Sequence, residues 1–199
     1  MNVWLFKLIG LVITLMFIRY GLLMRQPKKS IHLSKRWTLL LMKFSASFLV
    51  GLFLVALSQL TQVLWWDWTL LGLMGVGAMI VAVAQRKLNA SGAFTWTGYA
   101  LKTPKLVTGG IYSKVRHPLY LGVYCVEIGA AGVILFRFEK LFSEWGGPLF
   151  VLTSVCLLFA MTFNAVLASR ESQYLQEVFG PEYITYKKAV PAVLPKWWP

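Results

Sequence analysis

The sequence predicts an all-α polytopic membrane bundle of about five transmembrane helices with a cytosolic cofactor pocket. Three observations predict it. Of the 199 residues, 58% are hydrophobic and only 14% are charged, against roughly 25% charged in an average soluble domain. Mean hydropathy is +0.65. The apolar residues fall in runs of membrane-spanning length, separated by short basic connectors. A soluble fold of this size leaves most of its residues in contact with water, whereas a bilayer is itself an apolar solvent.

A spanning helix needs about 20 mostly apolar residues. Five segments meet or approach this: Asn2 to Leu23, Leu39 to Trp65, Leu70 to Ala84, Pro118 to Phe136 and Leu149 to Leu167. Met1 to Tyr20 carries only Lys7 as n-region charge and no small-residue cleavage site follows, so it reads as a retained first span. Trp65, Trp66 and Trp68 around Asp67 suggest an interfacial aromatic belt at a tight turn. Asn89 to Arg116 is too polar and Gly-rich to span. Pro118 suits the first position of the fourth helix. Arg137, Glu139, Lys140 and Glu144 form the next turn, with Gly146, Gly147 and Pro148 as breakers. The fifth helix continues into water through Arg170, Glu171, Gln173 and Gln176 and stops at Gly180-Pro181. The tail from Glu182 to Pro199 is amphipathic, then Pro/Trp-rich, and is expected at the interface. The chain reads as one membrane domain, with three spans in 1–88 and the motif region in 89–199.

The formal net charge of +13 does not indicate nucleic acid, because the basic residues sit between apolar runs and not on one polar domain. Arg25, Lys28, Lys29, Lys35 and Arg36 follow span one. Arg86 and Lys87 end span three, and more lysines lie in the C-terminal tail. The positive-inside rule places these connectors and the C-terminus in the cytoplasm and the N-terminus outside, in a bacterial inner membrane. Cys125 and Cys156 both lie in apolar runs, which argues against a disulfide framework or thiol metal site. His32 and His117 are too few for a zinc constellation. No metal and no nucleic acid are expected; the expected partners are membrane lipids and a lipophilic substrate.

The reactive side chains concentrate in Leu106-Val107-Thr108-Gly109-Gly110-Ile111-Tyr112 and Arg116-His117-Pro118-Leu119-Tyr120. Glycines let backbone approach a ligand closely. A helix start at Pro118 presents N–H groups and a positive dipole, suited to a carboxylate or another anion. The plainer reading is a turn where the chain meets the membrane, with an interfacial Arg, His and Tyr; the residues alone leave both open.

The run LVTGGIYSKVRHPLYLG, followed by RESQYLQEVFGPEYITYKKAVPAVLP with its FG-x-x-Y-x-x-Y tail, resembles the isoprenylcysteine carboxyl methyltransferase family, whose broad pattern the phospholipid N-methyltransferases share. The resemblance spans Ser91 to Pro195; the first three spans match only in hydropathy. It implies an S-adenosylmethionine pocket walled by the polar segment, the start of span four and the helix after span five. Carried over residue by residue, it implies that Pro104, Lys105, Leu106 and Val107 lie along the cofactor. Tyr112, His117, Pro118, Leu119 and Tyr120 match further cofactor contacts. Glu171 matches a carboxylate suited to the ribose hydroxyls or the ammonium group.

Two positions depart from the family pattern. The second of two adjacent acids is Ser172 here. The Arg four residues before the matched Glu, which serves a substrate carboxylate, is Leu167. Arg170 projects roughly 300° further round an ideal helix from Leu167.

Glu127 lies well inside span four, and an intramembrane acid is a functional hypothesis by default. His117, Tyr120, Tyr124 and Glu127 follow three- and four-residue spacing and share a face; Asn164 and Glu171 share one on span five. Glu127, Tyr124 and Asn164 are therefore the candidate catalytic residues, with Glu127 holding an ammonium group or acting as a base. The competing reading is a protonated structural Glu bonded to Asn164 or a tyrosine.

The expected activity is S-adenosylmethionine-dependent methyl transfer to a membrane-embedded amine, thiol or carboxylate. Glu127 and the missing Arg favour amine or thiol. A membrane reductase using a nicotinamide cofactor shares the RHP-x-Y element and is the enzymatic alternative. A non-catalytic membrane module of the same fold is the other, kept open by Ser172 and Leu167.

Overall fold

Asn2 starts the first helix by accepting the Leu5 N–H on its side-chain oxygen at 3.1 Å, filling one of the donors that a helix start leaves unpaired. Helix α1 runs Val3–Phe17 and passes into a π-helical turn, Ile18–Leu22. In the computed structural model, which describes residues 2–22, 30–91, 99–136 and 146–194, the order continues with β1 (Ser30–His32), α2 (Arg36–Gln59), α3 (Trp65–Ala90) and β2 (Tyr99–Leu101). A 3₁₀ turn (Gly110–Ser113), α4 (Pro118–Leu135), α5 (Gly146–Phe179) and α6 (Pro181–Ala189) complete it. Five of these helices are long and apolar enough to cross a membrane, so the protein is an all-α membrane bundle. Arg25, Lys28 and Lys29, the turn at Arg137, Glu139, Lys140 and Glu144, and the end of the tail at Pro195 to Pro199 lie outside the described residues.

The second and third spans differ from the sequence reading. Helix α2 ends at Gln59, because Leu60 turns to extended backbone. Asp67 Oδ2 then accepts the Leu64 N–H at 2.7 Å and starts α3 at Trp65. The tryptophans thus occupy the first turn of a helix and not a tight turn between helices. Trp65 is 70% exposed, as an interfacial residue would be. Trp68 turns inward, and its ring meets Phe6 edge-on at 5.3 Å. Helix α3 also runs on to Ala90, past Gln85, Arg86 and Lys87, because nothing in that stretch breaks a helix. Spans four and five match the sequence reading closely, and α5 is one continuous helix of 34 residues.

The core lies between α3 and α4. Their backbones approach so closely that a Cβ on Gly122 would lie 2.6 Å from the Gly77 carbonyl oxygen, and one on Gly77 would lie 2.5 Å from the Gly122 carbonyl oxygen. Helix α1 packs on α3 through Phe6 and Phe17, and α2 closes the cluster with Phe53, Ala56 and Leu57. A second apolar cluster joins α2 (Leu39, Met42, Ala46), α4 (Tyr120) and α5 (Phe163, Leu167, Ala168).

The strands add a feature absent from the all-helical expectation. They pair antiparallel, with Ser30 opposite Leu101, Ile31 opposite Ala100 and His32 opposite Tyr99. Strand β1 follows span one and β2 follows span three, so this ribbon brings both basic connectors to one end of the bundle. Arg170 on α5 donates to the Leu33 carbonyl at 3.0 Å, and Tyr174 donates to the Leu101 carbonyl at 2.6 Å. The extension of α5 is thereby fastened to the same end.

Two Gly→Ala substitutions test the packing. A methyl at Gly51 meets nothing within 4 Å, whereas one at Gly122 collides with backbone. Gly51→Ala should be neutral or slightly stabilising through helix propensity. Gly122→Ala should cost about 1–3 kcal/mol by overpacking, measured as a fall in thermal midpoint in detergent. Equal midpoints for the two variants would contradict the close α3–α4 contact.

Candidate functional site

Five chain segments meet at the ribbon end of the bundle. The last turns of α3 supply Leu88. The extended stretch after β2 supplies Pro104, Lys105, Leu106 and Val107, and the 3₁₀ turn supplies Tyr112. The α5 extension supplies Glu171 and Leu175, and α6 supplies Tyr183 and Tyr186. With Arg116 they line one cleft of about 450 Å³ counting its open mouth. The turn into Tyr112 needs Gly110, whose φ of +69° is a left-handed conformation that costs side-chain-bearing residues energy.

Helix α6 is tied down by its tyrosines. Tyr186 donates to the Tyr112 carbonyl at 2.6 Å. Tyr183 is fully buried, with its hydroxyl 3.3 Å from Arg116 Nη1. Burial pushes the phenols of both Tyr112 and Tyr186 above their ordinary range, so both remain neutral donors at physiological pH. The Tyr112 hydroxyl is itself buried with no hydrogen-bond partner in the protein. An unpaired buried hydroxyl is costly, and this one belongs to a residue of the cleft wall.

Arg116 organises the region behind the cleft. Its backbone N–H donates to the Pro191 carbonyl at 2.9 Å and that of His117 to the Ala192 carbonyl at 2.8 Å. Its Nε donates to the Val190 carbonyl at 2.9 Å. The chain after α6 is thus strapped across the start of α4. This changes the expectation of free N–H groups there: Pro118 has none, and the His117 N–H is taken by the tail.

His117 Nε2 lies 2.8 Å from Ser172 Oγ, and its Nδ1 lies 3.6 Å from Glu171 Oε2. Tyr120 also faces the Glu171 carboxylate. Both rings are buried and meet edge-on with centroids 5.7 Å apart. Of the residues expected along the cofactor, Pro104, Lys105, Leu106, Val107, Tyr112 and Glu171 line the cleft. His117, Pro118, Leu119 and Tyr120 are buried and stand behind its wall, where His117 and Tyr120 hold Glu171. Ser172, where the family has an acid, serves as the partner of His117. Leu167 is fully buried in the second apolar cluster, and Arg170 is turned to the ribbon.

Deeper in the bundle, Tyr124 donates to the Met161 carbonyl at 3.2 Å, tying α4 to α5. Glu127 and Asn164 are buried at 6% and 2% exposure. Glu127 Oε2 and Asn164 Nδ2 have no hydrogen-bond partner, so the Glu127–Asn164 bond of the structural reading is not formed through those atoms. Among the described residues, no three His, Cys, Asp or Glu side chains cluster as a metal site would need.

Arg116, Tyr183, Tyr186, Leu88 and Leu175 escaped selection from the sequence. Arg116 and the two tyrosines had a signal, since they stand inside RHPLY and the FG-x-x-Y-x-x-Y tail. Leu175 lies one turn beyond Glu171 on the same face. Leu88 had no signal, because only the length of α3 brings it here.

The chain is 29% identical over 125 residues to the protein-S-isoprenylcysteine O-methyltransferase of Schizosaccharomyces pombe, covering 63% of this chain and 48% of the relative. It is 31% identical over 126 residues to the cobalt-zinc-cadmium resistance protein CzcN of Cupriavidus metallidurans, again covering 63% and 48%. The chain thus spans about half the length of the curated relatives it matches. Residues 65–182, more than half of the chain, match the family described as phospholipid methyltransferase, and the protein belongs to that family.

Proposed function

We propose that this protein is a membrane methyltransferase that uses S-adenosylmethionine to methylate a lipophilic acceptor reaching the site from the bilayer. One observation carries the reading: two motif halves more than 50 residues apart in the chain contribute Pro104–Val107, Tyr112 and Glu171 to a single cleft. Family membership favours methyl transfer over the nicotinamide-dependent alternative.

The cleft has groups that suit this cofactor. The backbone of Pro104 to Val107 can read the adenine edge. The Glu171 carboxylate suits the ribose hydroxyls or the ammonium group, and the unpartnered Tyr112 hydroxyl can donate to the carboxylate. The cofactor, when bound, supplies an electrophilic methyl on a sulfonium. The protein's part is positioning and exclusion of water. His117 and Tyr120 orient Glu171, Arg116 and the tail close the back wall, and the hydroxyls of Tyr183 and Tyr186 hold α6 over the cleft.

On the substrate side we assign Glu127, with Tyr124 one turn before it on α4 and Asn164 on the facing helix α5. Glu127 offers a buried carboxylate to an amine, as a base or as the partner of its ammonium form. Leu167, buried in the second apolar cluster, offers no charge to a substrate carboxylate, which supports an amine or thiol acceptor. The orientation we propose has the ribbon end and C-terminus in the cytosol of a bacterial cell.

Purified protein incubated with labelled S-adenosylmethionine and a lipid extract should yield a labelled lipid identified by mass. His117→Ala, Tyr120→Ala and Glu171→Ala should each weaken adenosylhomocysteine binding at least ~10-fold in calorimetry, equivalent to about 1.4 kcal/mol. Unchanged affinity in all three would remove the cofactor assignment, and no affinity in the wild type would favour a non-catalytic module.

Glu127→Gln keeps the shape of the side chain and loses its charge. It should leave adenosylhomocysteine affinity nearly intact and lower methyl transfer by roughly 10²-fold or more. Wild-type turnover would make the acid structural, and a parallel loss of binding would move it into the cofactor cleft.

Cysteines introduced at Ser91 and Lys187 should resist a membrane-impermeant label in intact cells. Labelling of either from outside would reverse the proposed orientation.

A further inference from the structure

A second recess opens at the ribbon, lined by residues that the first cleft does not use. His32 and Tyr99, paired across the ribbon with ring centroids 4.8 Å apart, form one wall. Arg36, Leu39, Leu40 and Lys43 from the first two turns of α2 form the other, around a space of about 470 Å³ counting its mouth. Arg36, Leu40 and Lys43 are four and three residues apart and so stack on one helix face. Two basic side chains and an imidazole therefore line one recess. Among the described residues no carboxylate pairs with Arg36 or Lys43.

The apolar surroundings continue from this basic rim into the bilayer. Leu40 is 67% exposed and Phe44, one turn on, 61%. Phe44 stacks on Phe48 a further turn along, with centroids 6.4 Å apart. An apolar strip thus runs down α2 from the cations. Trp37, 58% exposed beside Arg36, is placed as an interfacial anchor. A free inorganic phosphate would use only the rim. An amphiphile with an anionic head and an acyl chain would use the rim and the strip together.

We propose that this recess binds the phosphate of an anionic phospholipid, with Arg36 and Lys43 on the headgroup, His32 and Tyr99 as its outer wall, and an acyl chain along Leu40, Phe44 and Phe48. The site is separate from the cofactor cleft. The recess adjoins the reaction region, because Leu39 and Tyr99 pack in the same apolar cluster as Tyr120. The proposal rests on the membrane fold alone and does not require methyl transfer. It differs from a general attraction of basic loops to anionic lipid in requiring these two charges and not others at the same end.

Delipidated full-length protein would be titrated in detergent with phosphatidylglycerol, phosphatidylcholine or inorganic phosphate, and bound lipid counted by native mass spectrometry. Phosphatidylglycerol should be retained in preference to phosphatidylcholine. Arg36→Ala with Lys43→Ala should weaken that retention about 10-fold or more, on the usual scale for basic residues at an anionic lipid surface. Lys187→Ala with Lys188→Ala, an equal loss of charge from exposed α6, should not. The swap Arg36→Lys with Lys43→Arg should restore most of the binding. A photoreactive phosphatidylglycerol on the wild-type protein should label the peptide from Leu39 to Phe44, which keeps the test independent of variant folding. Equal losses from both double-alanine variants would reduce the effect to general charge. Displacement by inorganic phosphate at the affinity of the lipid would make it a free-phosphate site. Labelling elsewhere would overturn the assignment.

Discussion

Inside a bilayer the hydrophobic effect does not draw helices together, so association depends on close packing and hydrogen bonding. In this protein that burden falls on the α3–α4 contact, where Gly77 faces Gly122 and a Cβ on either would meet backbone at 2.5–2.6 Å. Gly129 and Gly132 continue the seam past Met74 and Leu70. Because the two backbones touch, the start of α4 is held at a fixed height against the end of α3. That contact fixes where the start of α4 meets the last turns of α3, and the cleft is built outward from there.

The α5 extension depends on that frame. A helix projecting from a membrane into water has no apolar partner of its own along its last turns. This one is secured by polar contacts in three directions: Arg170 and Tyr174 to the ribbon, Ser172 to His117, and Glu171 to Tyr120. The C-terminal segment then crosses back and takes the N–H groups of Arg116 and His117. Buried hydrogen-bonding groups are costly to leave unpaired, so these contacts hold the segments to one another. The result is a polar cap, assembled from chain positions 30 to 194, on an apolar bundle.

The same cap carries two recesses. One holds a carboxylate and phenols among backbone groups; the other holds cations at the head of an apolar strip. Leu39, which lines the second recess, and Tyr120, which faces Glu171 of the first, pack in one apolar cluster.

Much of this was legible in the sequence. Hydropathy alone marks the spans, because a bilayer admits only helices or closed barrels with every backbone group bonded. The two motif halves mark Pro104 to Val107, Tyr112 and Glu171 in the same way. The boundary between α2 and α3 was misread because the apolar run passes through Leu60 to Trp65 without a composition change; only the Asp67–Leu64 hydrogen bond marks the new helix.

What the sequence by itself determined is the class of solvent and the number of crossings, which follow from local composition, while the resemblance of its two motifs named residues that line the cleft. What only the tertiary structure decided is which of those groups face the cleft and which stand behind it. His117 and Tyr120 share a motif with Arg116, yet Arg116 lines the cleft and they reach it only through Glu171. Three segments far apart in the chain impose that division, and no local pattern can encode a contact whose partner lies more than 50 residues away.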